Sequence, residues 1–310
     1  MRTRVRVTLA CAALTAVALT AGGLVVTARH TVTPVNQAVT APATSTPASS
    51  VNTPTETPTP STTVSAPALD PDELADAVSD AVKHAVPGTE LGLAIFDRQT
   101  GETLAEADPG KRFYTASVVK LLIALDAVYD NGWQVPDDDL AEDLTTMLAG
   151  SNDSIASRLW EDDGGVTIVS RMADLIGLDD TVPPSDPGQW GMTWTSADDV
   201  VQIYEYLDDT VPDEVARPIV DALAAARQPA DDGFAQYFGI PDGLPGVDWA
   251  VKQGWMILRS SVVLDTTGVV GSRYVVALLT DMPRATSWAK GRAAVTAGIA
   301  ATAPVLGTAS

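Results

Sequence analysis

The chain has 310 residues, with 19 Lys and Arg against 40 Asp and Glu, a formal net charge of −21 at pH 7 and 45% hydrophobic residues. So acidic a balance excludes a nucleic-acid backbone as partner, because phosphate binding needs clustered Lys and Arg that displace counterions. One cysteine, Cys11, and two histidines, His30 and His84, exclude an intramolecular disulfide, a Cys-rich zinc site and Cys-protease chemistry, and argue against a Ser-His-Asp triad. No metal or cofactor is expected.

Arg2, Arg4 and Arg6 precede an uncharged stretch from Val7 to Thr27, and Arg29 follows it. Residues 1–30 therefore read as an export signal, either cleaved after the small residues around Ala28 or kept as an N-terminal membrane anchor. Twenty-one uncharged residues suffice to span a bilayer, which favours the anchor, and the arginines place the N-terminus in the cytoplasm and the remainder outside. Only four residues separate Arg6 from Cys11, too few for the hydrophobic core of a lipoprotein signal, so Cys11 reads as an ordinary membrane-helix cysteine. Residues 31–68 contain 11 Thr, 5 Ser and 7 Pro, with Glu56 the only charge, and read as a disordered or extended stalk. The folded domain is expected over residues 69–310.

Within it, Asp70-Pro71-Asp72-Glu73 is a helix start with a capping carboxylate and proline at the first helical position, predicting a helix to about Val86. Leu91–Phe96 and Thr103–Glu106 read as a hairpin. Helices are predicted near Ser117–Tyr129, Leu140–Leu148, Asp153–Trp160, Val166–Ile176, Ser196–Leu207 and Asp213–Arg227. Strands follow at Trp249–Gly254, Ser261–Thr266 and Arg273–Thr280, with an Ala-rich helix at the end. The order implies an α+β fold: a five-stranded antiparallel sheet built from both ends of the chain, flanked by helices, with an all-helical subdomain inserted between.

Three patterns carry chemistry. Ser117-Val-Val-Lys120 places a hydroxyl and an amine one helical turn apart, so a neutral lysine can take the serine proton. Ser151-Asn152-Asp153 lies just ahead of a helix, and Lys252-Gln253-Gly254-Trp255 lies on a strand where the glycine would let a substrate approach the backbone. Ser-x-x-Lys alone recurs by chance; the order of all three is what matters, together with the use of two of the chain's five lysines in them.

In these motifs the sequence resembles the serine β-lactamases and penicillin-binding proteins, nearest in layout to the class A β-lactamases, over Pro71 to Ala301; it also looks like exported actinobacterial serine-hydrolase homologues. The resemblance implies Ser117 as the acyl-accepting nucleophile, Lys120 as its base and Ser151 as proton relay to the leaving nitrogen. It implies Lys252 as holder of a substrate carboxylate and the Ser117 and Trp255 amides as the oxyanion hole. Gln253, Gly254 and Asp153 would complete the substrate site. It departs where Asp153 replaces Asn, where Gln253 replaces Thr or Ser, and where the segment from Leu178 to Thr195 has Asp179, Asp180 and Asp186 but no Glu to activate a deacylating water. Trp190, Trp194, Phe234, Tyr237, Phe238 and Trp255 are candidates for the cleft rim. Two functions follow: an exported acylating enzyme acting on a β-lactam or D-Ala-D-Ala-like amide, or a catalytically weak relative that binds wall peptide or a partner protein through the same cleft.

Overall fold

The structure is a computed structural model and describes residues 70–307; the expected export segment 1–30, with Cys11, and the stalk 31–68 lie outside the described residues. Asp70 accepts the Asp72 amide at 3.1 Å and, with Pro71 behind it, starts α1 (Pro71–Ala85) where the sequence predicts it. The hairpin β1 (Glu90–Asp97) and β2 (Glu102–Ala107) follows, then a two-residue strand β3 (Phe113–Tyr114) and a 3-10 turn at Ala116–Val119. The helical half comprises α2 (Lys120–Asp130), α3 (Asp138–Ala149), α4 (Asp153–Asp162) and α5 (Val166–Ile176). A second 3-10 turn (Trp190–Met192) and β4 (Trp194–Thr195) lead into α6 (Ala197–Asp209) and α7 (Asp213–Ala224). The chain then makes the single turn α8 (Ile240–Gly243), strands β5 (Trp249–Ile257), β6 (Ser261–Val270) and β7 (Tyr274–Pro283), and helices α9 (Trp288–Ala300) and α10 (Ala303–Leu306).

The sheet has the order β2-β1-β7-β6-β5, antiparallel throughout, so the two ends of the chain meet where β1 pairs with β7 from Glu90↔Asp281 to Asp97↔Tyr274. Strand periodicity divides its side chains between two cores. Leu91, Leu93 and Ile95, with Val276 and Leu278, pack beside the apolar faces of α1 and α9. Ala94, with Val275, Ala277 and Leu279, joins the core of the helical half. Every residue of β7 from Tyr274 to Thr280 is buried, as expected of a central strand covered on both faces, and each large aliphatic there contributes roughly 1.5–3 kcal/mol.

Two expectations change. The single helix from Ser117 divides into the 3-10 turn and α2, because Ala116 has a left-handed φ of +40° and tightens the entry. α7 stops at Ala224, short of Arg227, whose amide instead donates to the Ala149 carbonyl at 2.9 Å and carries the chain back to the end of α3. Inside the helical half, fully buried Asp126 on α2 accepts two hydrogen bonds, both 2.7 Å, from Arg171 on α5, a bidentate clamp between the two helices. No helix among the described residues is long and apolar enough to cross a membrane.

Candidate active site

β5 is an edge strand, and the turn bearing Ser117 packs against it. A Cβ on Gly254 would lie 2.8 Å from the Thr115 carbonyl oxygen and 2.9 Å from Asp265 Oδ2, so the missing side chain is what lets strand and turn close up. Within the turn, side chains three apart eclipse, and Ser117 Oγ comes to 3.0 Å from Lys120 Nζ. Ala116, just before Ser117 (φ +40°), and Ser151 (φ +53°) both hold left-handed backbone, conformations that cost non-glycine residues on the order of 1–3 kcal/mol and gather at functional sites.

Lys120 is the hub. Its Nζ also reaches Ser151 O at 2.7 Å, Ser151 Oγ at 3.2 Å and Asp153 Oδ1 at 2.6 Å, while the side chain is fully buried. The Ser151 carbonyl and the Asp153 carboxylate only accept hydrogen bonds, so two amine protons are committed to them. A neutral Lys120 would then have its one lone pair on the side of the two hydroxyls, nearer to Ser117 Oγ, which is the geometry of a base for that residue. Burial lowers the Lys120 pKa from its ordinary value, and the Asp153 carboxylate works against that shift. Lys252 Nζ closes the circuit from β5, 3.1 Å from Ser151 Oγ and 3.0 Å from the Gln253 carbonyl. Burial, and then the neighbouring Lys120 charge, hold Lys252 well below the usual lysine value.

Asn152 caps α4 by accepting the Ile155 amide at 2.9 Å, and donates from Nδ2 to Asp231 at 2.8 Å. That leaves Asp153, at the first helical position, to reach Lys120. Gln253 is turned into the protein: Nε2 donates to the Phe238 carbonyl at 2.6 Å and the Gln236 carbonyl at 3.2 Å, and its buried Oε1 has no partner.

The segment 178–195 covers the turn. The Thr115 amide donates to Thr193 O at 2.9 Å, Val182 bridges to Trp194, and Trp194 stacks on Tyr114 with centroids 3.7 Å apart. Trp190 places its ring centroid 4.9 Å from Lys120 Nζ and donates its indole N–H to Ser157 at 3.2 Å. Asp186 is exposed and accepts the Gly188 amide at 3.1 Å, while Asp180 pairs with Arg112 at 3.1 Å. Beside Ser117 opens a cavity of about 310 Å³ whose walls include Asp153, Gln189, Trp190, Asp232 and Trp255.

Of the aromatic candidates, Trp190 and Trp255 line this cavity; Phe234 stacks on the Trp255 ring at 4.6 Å, Phe238 is buried in the core, and the Tyr237 hydroxyl donates to Ala226 O at 2.6 Å. His84 is exposed on the last turn of α1. Asp232, absent from the sequence reading, accepts the Trp255 indole N–H at 3.0 Å and the Phe234 amide at 2.8 Å. Asp265, also missed, is fully buried on β6; Oδ1 accepts the Thr280 amide at 2.9 Å, Oδ2 has no partner, and burial pushes its pKa well up.

No family model matches the chain. LppW of Mycobacterium tuberculosis, a lipoprotein by name, is 38% identical over 222 residues, 68% of this chain and 69% of that protein, and its Mycobacterium bovis counterpart gives the same figures. Among solved structures, a β-lactamase from Sphaerobacter thermophilus superposes with a TM-score of 0.58 at 20% identity, covering 75% of this chain and 97% of that one. PBP-A, including a mutant solved as an acyl-enzyme with penicillin G, gives 0.58 at 18% identity over 73% and 94% of the two chains. These are likenesses of fold.

Proposed function

The chain belongs to the family of LppW and has the serine β-lactamase and penicillin-binding protein fold, and from that premise we propose an exported serine hydrolase or acyltransferase that forms an acyl-enzyme on Ser117. The observation that carries the reading is the convergence of Ser117, Lys120, Ser151 and Lys252, linked hydroxyl to amine at 3.0–3.2 Å. Lys120 takes the Ser117 proton as Oγ attacks the carbonyl of a β-lactam or D-Ala-D-Ala-like amide. The oxyanion is met by the amides of Ser117 and Trp255, donors that need no particular side chain. Ser151, held between the two amines, passes a proton to the leaving nitrogen as the C–N bond breaks, and is reprotonated from Lys120. Export is supported by the basic and apolar N-terminal pattern and by the lipoprotein name of LppW; in this reading the domain stands on the outer side of the membrane.

Hydrolysis of the acyl-enzyme is the slow step. The side chain lying over Lys120 from segment 178–195 is an indole, which has no basic atom to activate water. A chromogenic cephalosporin should therefore give a burst of about one equivalent per Ser117 followed by slow turnover, with no burst from Ser117→Ala. Fast linear turnover would remove the trapped-acyl part of the reading; no burst with any β-lactam or activated ester would remove the whole.

A second reading, a weak relative that binds peptide or a partner through the cleft, draws on the Lys120–Asp153 ion pair, which holds the base toward its charged form. Restoring Asn at 153 and Thr at 253 separates the two. A gain in acylation marks a detuned enzyme, and no gain with retained cleft binding marks a binder.

A further inference from the structure

The charge the cleft presents to a ligand is the opposite of the charge its motifs suggest. Lys120 and Lys252 are at most 1% exposed and their amines bond to Ser117, Ser151, Asp153 and the Gln253 carbonyl. Neither lines the cavity, and among the described residues no arginine does. The ionisable side chains that the described residues place on its wall are two carboxylates, Asp153 and Asp232.

Asp232 is built into place rather than waving at the surface. The Trp255 indole N–H and the Phe234 amide fix its two oxygens, and Trp255 is in turn held by stacking on Phe234 with rings 7° from parallel. Its neighbour Asp231 is neutralised by Arg227 at 2.8 Å and bonded by Asn152, whereas Asp232 has no ion-pair partner among the described residues. Each Asp232 oxygen keeps a lone pair free beyond its one hydrogen bond. Trp190 and Trp255 line the same cavity, with their ring centroids 4.9 Å from Lys120 Nζ and 5.8 Å from Lys252 Nζ, so the indoles stand between the two amines and the cavity. The Gln253 amide is not available to a substrate carboxylate, because it is turned inward onto the Phe238 and Gln236 carbonyls.

We propose that this cleft selects an acyl donor carrying a cationic group, a primary amine or guanidine, paired with the free lone pairs of Asp232, and disfavours donors with a carboxylate there. The assignment deepens the acyl-enzyme reading by naming the substrate class, and it replaces the expectation of a carboxylate held by Lys252. A positive group in the cavity would be drawn chiefly by Asp232, because Asp153 is already paired with Lys120, and salt weakens that attraction where the cavity is open to solvent.

The test uses one activated thioester scaffold in three versions that differ only in a side group: a free amine, the same amine acetylated, and a carboxylate of matching length. Acylation of Ser117 is followed by intact mass at low salt and at high salt. The amine should react at least about tenfold faster than the carboxylate, with the acetylated form between, and the ratio should shrink at high salt. Asp232→Asn should lower the amine-to-carboxylate ratio several-fold. Equal rates for the three, or a faster carboxylate, would overturn the assignment while leaving acylation intact. The corresponding unreactive amides, titrated by calorimetry into the wild-type protein and Asp232→Asn, read the same preference without chemistry. If no thioester labels Ser117 but the amine still binds more tightly in an Asp232-dependent way, the acylation reading fails and the cation site stands. If the amides bind without regard to charge, the cation site fails.

Discussion

Asp153→Asn is the substitution that most sharply separates the base from its brake. Burial drives Lys120 toward the neutral amine that can accept the Ser117 proton, and the carboxylate 2.6 Å away drives it back toward the ammonium. A hydrogen bond to a charged group is worth about 1.5–3 kcal/mol, and because the Asp153 side chain is 65% exposed the low end applies, about 1.5 kcal/mol. Removing the charge should let burial win and enlarge the amine fraction about tenfold wherever the ammonium predominates, since about 1.4 kcal/mol is a factor of ten. The assay is the pH dependence of Ser117 acylation by a small activated ester without an acylamino side chain, so that the new amide has no substrate group to bond. The acid limb of the profile should move to lower pH, with acylation on that limb about tenfold faster than wild type and the two curves converging at high pH. A limb that stays in place or moves to higher pH, or a uniform loss of rate, would refute the assignment of Lys120 as a base restrained by Asp153.

Gln189→Glu puts a carboxylate on the cavity wall beside Trp190 and should shorten the lifetime of the acyl-enzyme, read as faster decay of the adduct mass after excess reagent is removed. Arg171→Ala strands the fully buried Asp126 carboxylate; a denaturant titration should register a loss of about 3 kcal/mol, the low end for a broken buried pair because Arg171 itself is 34% exposed. Asp265 has its folded-state pKa raised well above that of the unfolded chain, so the native state holds its proton more tightly and stability falls as pH climbs above the ordinary aspartate value toward the folded one. Asp265→Asn removes that slope, and its unfolding midpoint should gain on wild type between pH 5 and pH 8; a gap that stays constant across this range would show that the carboxyl ionises freely.

The sheet was legible for physical reasons, and the grouping of Ser117, Lys120, Ser151 and Lys252 through the order of their motifs. Strand and helix periods locate nearly every long element, and the spacing from Ser117 to Lys120 is enough to bring hydroxyl to amine in either a helix or a 3-10 turn. What was not legible lies in aperiodic chain or depends on long-range burial. Asp232 belongs to the irregular stretch between α7 and α8, where the sequence has no period to say which side chain borders the cleft; its partner Trp255 is 23 residues away. Trp190 could be named as a rim aromatic, but only the pinning of its segment to Thr115 and Tyr114 sets it over Lys120. Gln253 substitutes for a hydroxyl by position alone: a longer side chain on that strand finds the carbonyls of residues 236 and 238 instead of a ligand. Asp265 follows the apolar run Val262-Val263-Leu264 without any pattern that marks it as interior, yet the turn at 116–119 packs against β6 and the carboxyl is buried with one oxygen unpaired.

The most direct test of the central claim is peptide mapping of the protein after incubation with a β-lactam or activated acyl ester. The label is expected on the peptide containing Ser117, to be absent from Ser117→Ala, and to form at least about a hundredfold more slowly in Lys120→Ala. An unlabelled wild-type protein, or a label that persists when Ser117 is replaced, would contradict the account.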